Sequence, residues 1–213
     1  MESADVCILS KSSSSLFSTT FLAENLIKEA FSHAGQQCQR LQGAYVEEDF
    51  FEEISAAIRE RFVHMINTGE INIYTTEYQR SLPIASYASY ATELISNNES
   101  FPLVLVNPFV KDFIHSASFL PTLWLLPFTN INDLKQKLEE RTFYNGINIW
   151  TADSKFAEYL TINTPYSRIT INKSHTEIGV FEEWGGVFPS GVGGACSWLE
   201  RFSNHYQKNS TNI

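Results

Sequence analysis

Basic residues are scarce in this 213-residue sequence, which has 15 lysines and arginines against 24 aspartates and glutamates. The formal charge of −9 has the wrong sign for holding a phosphate backbone, so nucleic acid is not expected as a partner. No apolar run is long enough to span a membrane, and the start, MESADVCILSKSSSS, has an acidic residue where a signal peptide needs basic ones. We therefore expect a cytoplasmic protein with no membrane partner.

Cysteine and histidine are too few and too scattered for a metal site. Cys7, Cys38 and Cys196 are far apart and odd in number, which excludes both a CxxC knuckle and a disulfide framework. The five histidines show no HxxxH or HExxH spacing. We expect no bound metal and a reducing compartment.

The composition is that of a globular protein, with 43% hydrophobic, 14% aromatic and 18% charged residues. Short apolar runs alternate with helical patterns, which is typical of βαβ units. The predicted strands are 4–9, 41–46, 101–106, 123–127, 144–150 and 167–171, and the predicted helices include 19–33, 84–95, 130–140, 153–160 and 197–201. We predict one α/β domain over residues 1–213, with a polar tail at 207–213.

Local signals refine this outline. Ala34 and Gly35 are a plausible stop for the first helix, and the serine run 12–15 is predicted as a loop. Residues 49–52 match a capping box that opens another helix. The apolar stripe of that helix is Phe51, Ile54, Ile58, Phe62 and Met65.

One cysteine falls in a predicted loop between a helix and a strand. Cys38 ends the sequence GQQC, and a thiol there becomes nucleophilic if backbone amides or a nearby cation such as Arg40 lower its pKa. By position alone, a small buried residue is the commoner outcome for such a cysteine. The glycine-rich stretch 185–194 has neither a GKS/GKT ending nor a GxSxG elbow, so by itself it predicts a structural loop.

Seven segments follow one another in a characteristic order. They are HAGQQC, QGAYVEEDFFEEISAAIRERF, FPLVLVNPFV, SFLPTLWLLPF, YNGINIWTADSKFAEYL, RITINKS and WGGVFPSGVGG. Together they resemble the catalytic domain of the aldehyde dehydrogenase superfamily, from Ala4 to Tyr206, and the chain is similar in extent to relatives that consist of that domain alone. The resemblance implies a three-layer α/β domain with a mixed, mostly parallel sheet, helices on both faces, and a cysteine loop that opens into a cleft.

The resemblance also implies roles for individual residues. Cys38 falls on the catalytic thiol, which forms a thiohemiacetal and a thioester in this family. Asn172 falls on the asparagine of the family's V-N strand, and Trp184 takes the place of the phenylalanine in F-G-G. Glu2 lies near the position of the general base, although a glutamate beside a free terminus is a poor base.

Several positions depart from the family pattern. Ala117 replaces the glutamate that holds the nicotinamide ribose, and Leu120 replaces a glycine of the same segment. Gly43 lies near the place of an arginine that follows the cysteine loop. Because only 37 residues precede Cys38, we expect the NAD-binding domain to be absent and no cofactor to be bound.

These departures lead to three hypotheses for function. The first is a degenerate, non-oxidising relative, a pseudoenzyme that acts by binding a ligand, by forming a homo-oligomer through Phe202–Gln207, or by association with an intact aldehyde-dehydrogenase-type subunit. The second is a cysteine-dependent esterase that uses Cys38. The third is an NAD-dependent aldehyde oxidoreductase completed by a partner chain, which would need a large apolar interface.

Overall fold

The computed structural model describes residues 4–36, 40–71, 89–97, 100–109, 121–140, 144–164, 166 and 168–174. The strands within them are β1 (Ala4–Leu9), β2 (Leu41–Glu47), β3 (Ala91–Asn97), β4 (Ser100–Pro108), β5 (Thr122–Phe128), β6 (Tyr144–Trp150) and β7 (Arg168–Ile171). The α-helices are α1 (Thr19–Phe31), α2 (Glu48–Asn67), α3 (Ile131–Glu139) and α4 (Ser154–Asn163), and short 3-10 turns lie at Lys11–Ser15 and Ser32–Gly35.

The strands form one seven-stranded sheet in the order β3-β4-β5-β2-β1-β6-β7. Every neighbouring pair is parallel except β3 and β4, which are antiparallel. The predicted α/β class, with a mixed and mostly parallel sheet, is therefore confirmed.

Helices cover both faces of this sheet and give it two hydrophobic cores. Side chains alternate along β1, so that Cys7 and Leu9 pack with α1 and α2, whereas Val6 and Ile8 pack with α3 and α4. A parallel strand buried on both faces contains a continuous apolar run, as ADVCIL does. The three-layer arrangement implied by the resemblance is confirmed.

The connections fix which parts of the chain meet at each edge of the sheet. Helix α1 leaves the carboxyl end of β1 and returns to the amino end of β2, so its last turn lies at the amino edge. From β1 the chain moves to β2 on one side, and from β6 it moves to β7 on the other. The topological switch point, where open α/β sheets commonly bind ligands, is therefore the carboxyl edge between β1 and β6.

The sequence gives good bounds for the elements with continuous apolar patterns. The predicted strands 4–9 and 144–150 coincide with β1 and β6. The predicted apolar stripe of α2 is buried throughout, from Phe51 to Met65. The predicted helix 197–201, the glycine-rich stretch 185–194 and the tail 207–213 lie outside the described residues.

Three local predictions are wrong. Residues 91–95 of the predicted helix 84–95 belong to β3, because Ala91 and Ile95 share a face at i, i+4 in a strand as well as in a helix; residues 84–88 lie outside the described part. The predicted capping box fails because α2 begins at Glu48, and its N-cap Glu47 makes no capping hydrogen bond with its side chain. The serine run is a 3-10 turn, not an irregular loop.

None of the described helices has both the length and the apolar character needed to cross a bilayer.

Candidate functional site

The chain makes a left-handed turn directly after α1. His33, Ala34 and Gly35 have φ values of 53°, 55° and 71°. Non-glycine residues adopt this conformation at roughly 1–2 kcal/mol each, so His33 and Ala34 both hold strain. Strain of this kind persists only where the surroundings maintain it, and it is common at functional segments. The helix ends at Phe31, two residues before the predicted end, and the turn lies at the predicted stop.

A cleft of about 610 Å³ opens beside this turn. Its described lining consists of Lys28, Ser32, His33, Ala34, Gln36, Glu70 and Ile71. The first five belong to the end of α1 and the turn, and the last two follow α2, so the cleft lies at the amino edge of the sheet. Its volume is in the range that holds a small organic ligand, and its lining offers both charge signs beside an apolar wall.

Several predicted site residues lie outside the described part of the chain. They are Cys38, Ala117, Trp184, Glu2 and Cys196. The assignment of a nucleophile at Cys38 therefore remains a prediction, and Gln36, two residues earlier in the sequence, is the nearest described residue on the side of the cleft.

Arg40, which was expected to lower the pKa of the Cys38 thiol, is buried at the start of β2, with only 2% of its surface exposed. Its Nη1 donates a hydrogen bond to the carbonyl of Thr122 at 2.9 Å, and its own carbonyl accepts one from the Asp5 amide at 3.1 Å. Burial lowers the pKa of the guanidinium to about 10. The side chain thus ties the start of β2 to β5, and its predicted effect on Cys38 remains untested.

Gly43 allows a close contact between the neighbouring strands β2 and β5. It pairs with Trp124 of β5, and a Cβ atom at Gly43 would lie 1.9 Å from Cε2 of the indole. The Trp124 ring is fully buried, and Tyr45 packs against its edge with a centroid distance of 5.1 Å. The space beside Gly43, near which the resemblance implies an arginine, is therefore filled by Trp124.

Asn172 lies at the opposite edge of the sheet from the cleft, directly after β7. Its Oδ1 accepts from the Thr151 amide at 2.9 Å, and its Nδ2 donates to the Thr151 carbonyl at 2.8 Å. Its own amide donates to the carbonyl of Ile149, and its φ is 54°. The carboxamide therefore extends the pairing of β6 and β7 by one residue. The structure does not bring Asn172 to the cleft.

Hydroxyl groups occupy the switch point between β1 and β6. The Ser10 hydroxyl donates to Thr151 Oγ1 at 2.8 Å, Ser12 Oγ lies 2.9 Å from the same atom, and the Ala152 amide donates to Ser12 Oγ at 3.0 Å. Ser10 and Thr151 are both buried. The usual ligand crevice of an open α/β sheet is thus bridged by side chains, which directs attention to the amino edge. In the sequence, this network is indicated by the serine run, for which the pattern predicts only a loop.

Cys7 is fully buried in β1. Burial and the negative charge of Glu29 raise the pKa of its thiol well above the usual value. This thiol is thus unsuited to nucleophilic chemistry. Within the described ranges, no three His, Cys, Asp or Glu side chains come together in a way that could hold a metal ion.

The sheet order and the two helical layers define a three-layer α/β domain, and comparison with solved structures shows which proteins share this fold. The chain has the fold of part of an aldehyde dehydrogenase: 386 solved chains match it, and aldehyde dehydrogenases are among them. The predicted resemblance is confirmed at the level of fold.

Three of these structures show the extent of the similarity. An oxidoreductase from Marinobacter aquaeolei superposes with a TM-score of 0.72 at 17% identity, over 91% of this chain and 43% of its own. Betaine aldehyde dehydrogenase from Staphylococcus aureus gives 0.71 at 15%, over 88% and 41%. Lactaldehyde dehydrogenase from Escherichia coli gives 0.66 at 14%, over 91% and 44%. The chain thus spans less than half the length of these proteins.

No family model and no curated protein sequence matches the chain.

Proposed function

We propose that this chain is an aldehyde-dehydrogenase-like protein that does not oxidise aldehydes and acts by binding a ligand or by associating with another subunit. The packing of Trp124 against Gly43 carries the proposal. If the family's arginine had simply been replaced by a smaller residue, an empty space would remain in which an arginine could still fit. Here a buried indole fills that space, so the loss of the arginine is part of the packing of the core.

The cofactor position supports the same proposal from the sequence. Ala117 offers a methyl group where the resemblance implies a carboxylate that accepts a hydrogen bond from the nicotinamide ribose. Alanine has no side-chain acceptor, so this residue does not fit the cofactor. Nothing proposed for this chain depends on NAD.

Calorimetric titration tests this function. We expect no saturable heat when NAD or NADP is titrated into the protein at micromolar concentration, because the ribose contact is missing. Saturable binding would contradict the proposal and would favour the aldehyde oxidoreductase completed by a partner chain. The Ala117→Glu variant is the matched comparison, since it restores the carboxylate implied by the resemblance.

The strained turn and the cleft favour a second function, that of a thiol esterase. In this reaction the Cys38 thiolate would attack the carbonyl of an activated ester, form a thioester and expel the alcohol. Water would then hydrolyse the thioester, release the carboxylic acid and return the thiol. The turn at His33 and Ala34 holds strain beside a cleft, and Cys38 follows Ala34 by four residues in the sequence.

Hydrolysis of 4-nitrophenyl acetate tests the esterase. If Cys38 is the nucleophile, the Cys38→Ala variant should fall to the uncatalysed rate, while Cys7→Ala should retain the activity because Cys7 is buried with a raised pKa. Equal rates for the native protein and Cys38→Ala would exclude the esterase and leave the binding function in place.

A further inference from the structure

A buried glutamate joins α1 to the strands β6 and β7. Glu29 is 4% exposed. Its Oε2 accepts a hydrogen bond from Asn148 Nδ2 at 3.1 Å, and its Oε1 accepts one from the Ser174 hydroxyl. The Asn148 Oδ1 in turn accepts from the Thr170 hydroxyl. Glu29, Asn148, Thr170 and Ser174, here called the Glu29 network, therefore link one helix, two strands and the segment after β7.

The network connects two of the left-handed sites found among the described residues, the turn at His33 and Ala34 and the one at Asn172. Glu29 lies two residues before the end of α1, which leads directly into the turn at His33 and Ala34. At the other end, the positive φ of Asn172 reverses the chain after β7, and two residues later Ser174 reaches the Glu29 carboxylate. The Glu29 carboxylate thus links the end of α1, which leads into the turn, to the segment that follows Asn172.

A buried polar network is by itself weak evidence for stability. Replacing a buried polar network by apolar residues of similar volume is often neutral or stabilising, so retaining one favours a role in fixing a particular arrangement. Glu29 lies among the buried apolar residues of α1, and Asn148 interrupts the apolar strand YNGINIW. In the sequence, the network is therefore indicated by polar residues at positions that face the core.

We propose that Glu29 is a positioning residue that couples the turn at His33 and Ala34 to the segment after β7, so that both are held in place or released together. This coupling goes beyond the proposed function, because it holds whichever ligand or reaction the cleft serves. It also connects the two edges of the sheet, with the cleft at one and Asn172 at the other.

Hydrogen exchange at two amides measures the coupling. The Ser32 amide donates to the carbonyl of Lys28, and the Asn172 amide donates to that of Ile149. In the Ser174→Ala variant, which removes one donor, we expect exchange at both amides to rise about tenfold. That factor corresponds to about 1.4 kcal/mol for a lost bond to a charged group. Glu29→Leu should give a larger rise at both.

Two further variants separate coupling from general loss of stability. Glu29→Gln should stay close to the native rates at both amides, because its carbonyl can accept from Asn148 and its amide can donate to Ser174. Leu134→Ala truncates the core on the other face and should not accelerate the two amides selectively. Faster exchange at Asn172 alone in Ser174→Ala, or the same pattern in Leu134→Ala, would overturn the proposal.

Discussion

The Gly43→Ala variant is expected to unfold at a markedly lower urea concentration, with a loss of about 3 kcal/mol in the free energy of unfolding. The added methyl group would lie 1.9 Å from Cε2 and 2.0 Å from Cδ2 of Trp124. Because the indole is fully buried and Tyr45 packs against it in a T-shaped arrangement, neither ring can move without disturbing the core. The strands must therefore separate or the indole must leave its position.

Gly69 offers a matched control on the same protein. It has a φ of 73°, and no atom lies within 4 Å of the position of its Cβ. The Gly69→Ala variant should therefore lose only about 1 kcal/mol from backbone conformation. If both alanine variants unfold at the same urea concentration, the packing of Trp124 against Gly43 is not what holds these strands together.

A double-mutant cycle tests whether the indole causes the loss of stability in Gly43→Ala. Trp124→Leu creates a cavity, but it also removes the atoms that the new methyl group would meet. The double variant should thus be clearly more stable than the sum of the two single losses predicts. Strict additivity would mean that the clash does not account for the loss.

The Asn172→Ala variant is expected to lose about 3 kcal/mol in the free energy of unfolding. Two hydrogen bonds to Thr151 disappear, each with a net value of about 1 kcal/mol, and alanine tolerates a φ of 54° less well than asparagine, which adds about 1 kcal/mol. Thermal or urea unfolding followed by circular dichroism measures the loss.

Comparison with glycine separates these two contributions. Asn172→Gly lacks the hydrogen bonds but adopts a positive φ without strain, so it should be more stable than Asn172→Ala by about 1 kcal/mol. Asn163→Ala, at the exposed end of α4, is the control and should change stability by less than about 0.5 kcal/mol. A loss for Asn172→Ala no greater than that of Asn163→Ala would contradict the structural role.

The sequence could predict the elements whose signal is local and repeated. The strands β1 and β6 are short and mostly apolar, because a parallel strand is buried on both faces, and their bounds were predicted correctly. The stripe of α2 recurs with helical spacing and is buried as expected. For β3 the spacing of Ala91 and Ile95 was compatible with two structures, and only the pairing with β4 decides between them.

The candidate site depends on contacts that no local pattern contains. Gly43 and Trp124 meet through strand register, and no local pattern in the sequence predicts this pairing. The charge of Arg40 was visible in the sequence, but its burial against Thr122 depends on where β5 lies. Asn172 matched a family motif, whereas its role in extending the β6 and β7 pairing follows from the turn after β7.

The direction of the helices sets the electrostatic character of the cleft. Helices α1 and α2 both run from the carboxyl edge of the sheet to the amino edge, so both end near the residues that line the cleft. The carboxyl end of a helix carries the equivalent of roughly half a negative charge, because its last carbonyl dipoles point outward. Phosphate groups favour the opposite helix ends, where amide hydrogens are directed at the ligand. The intrinsic preference of this cleft is therefore for neutral or cationic groups, and Lys28 is the side chain that counters it.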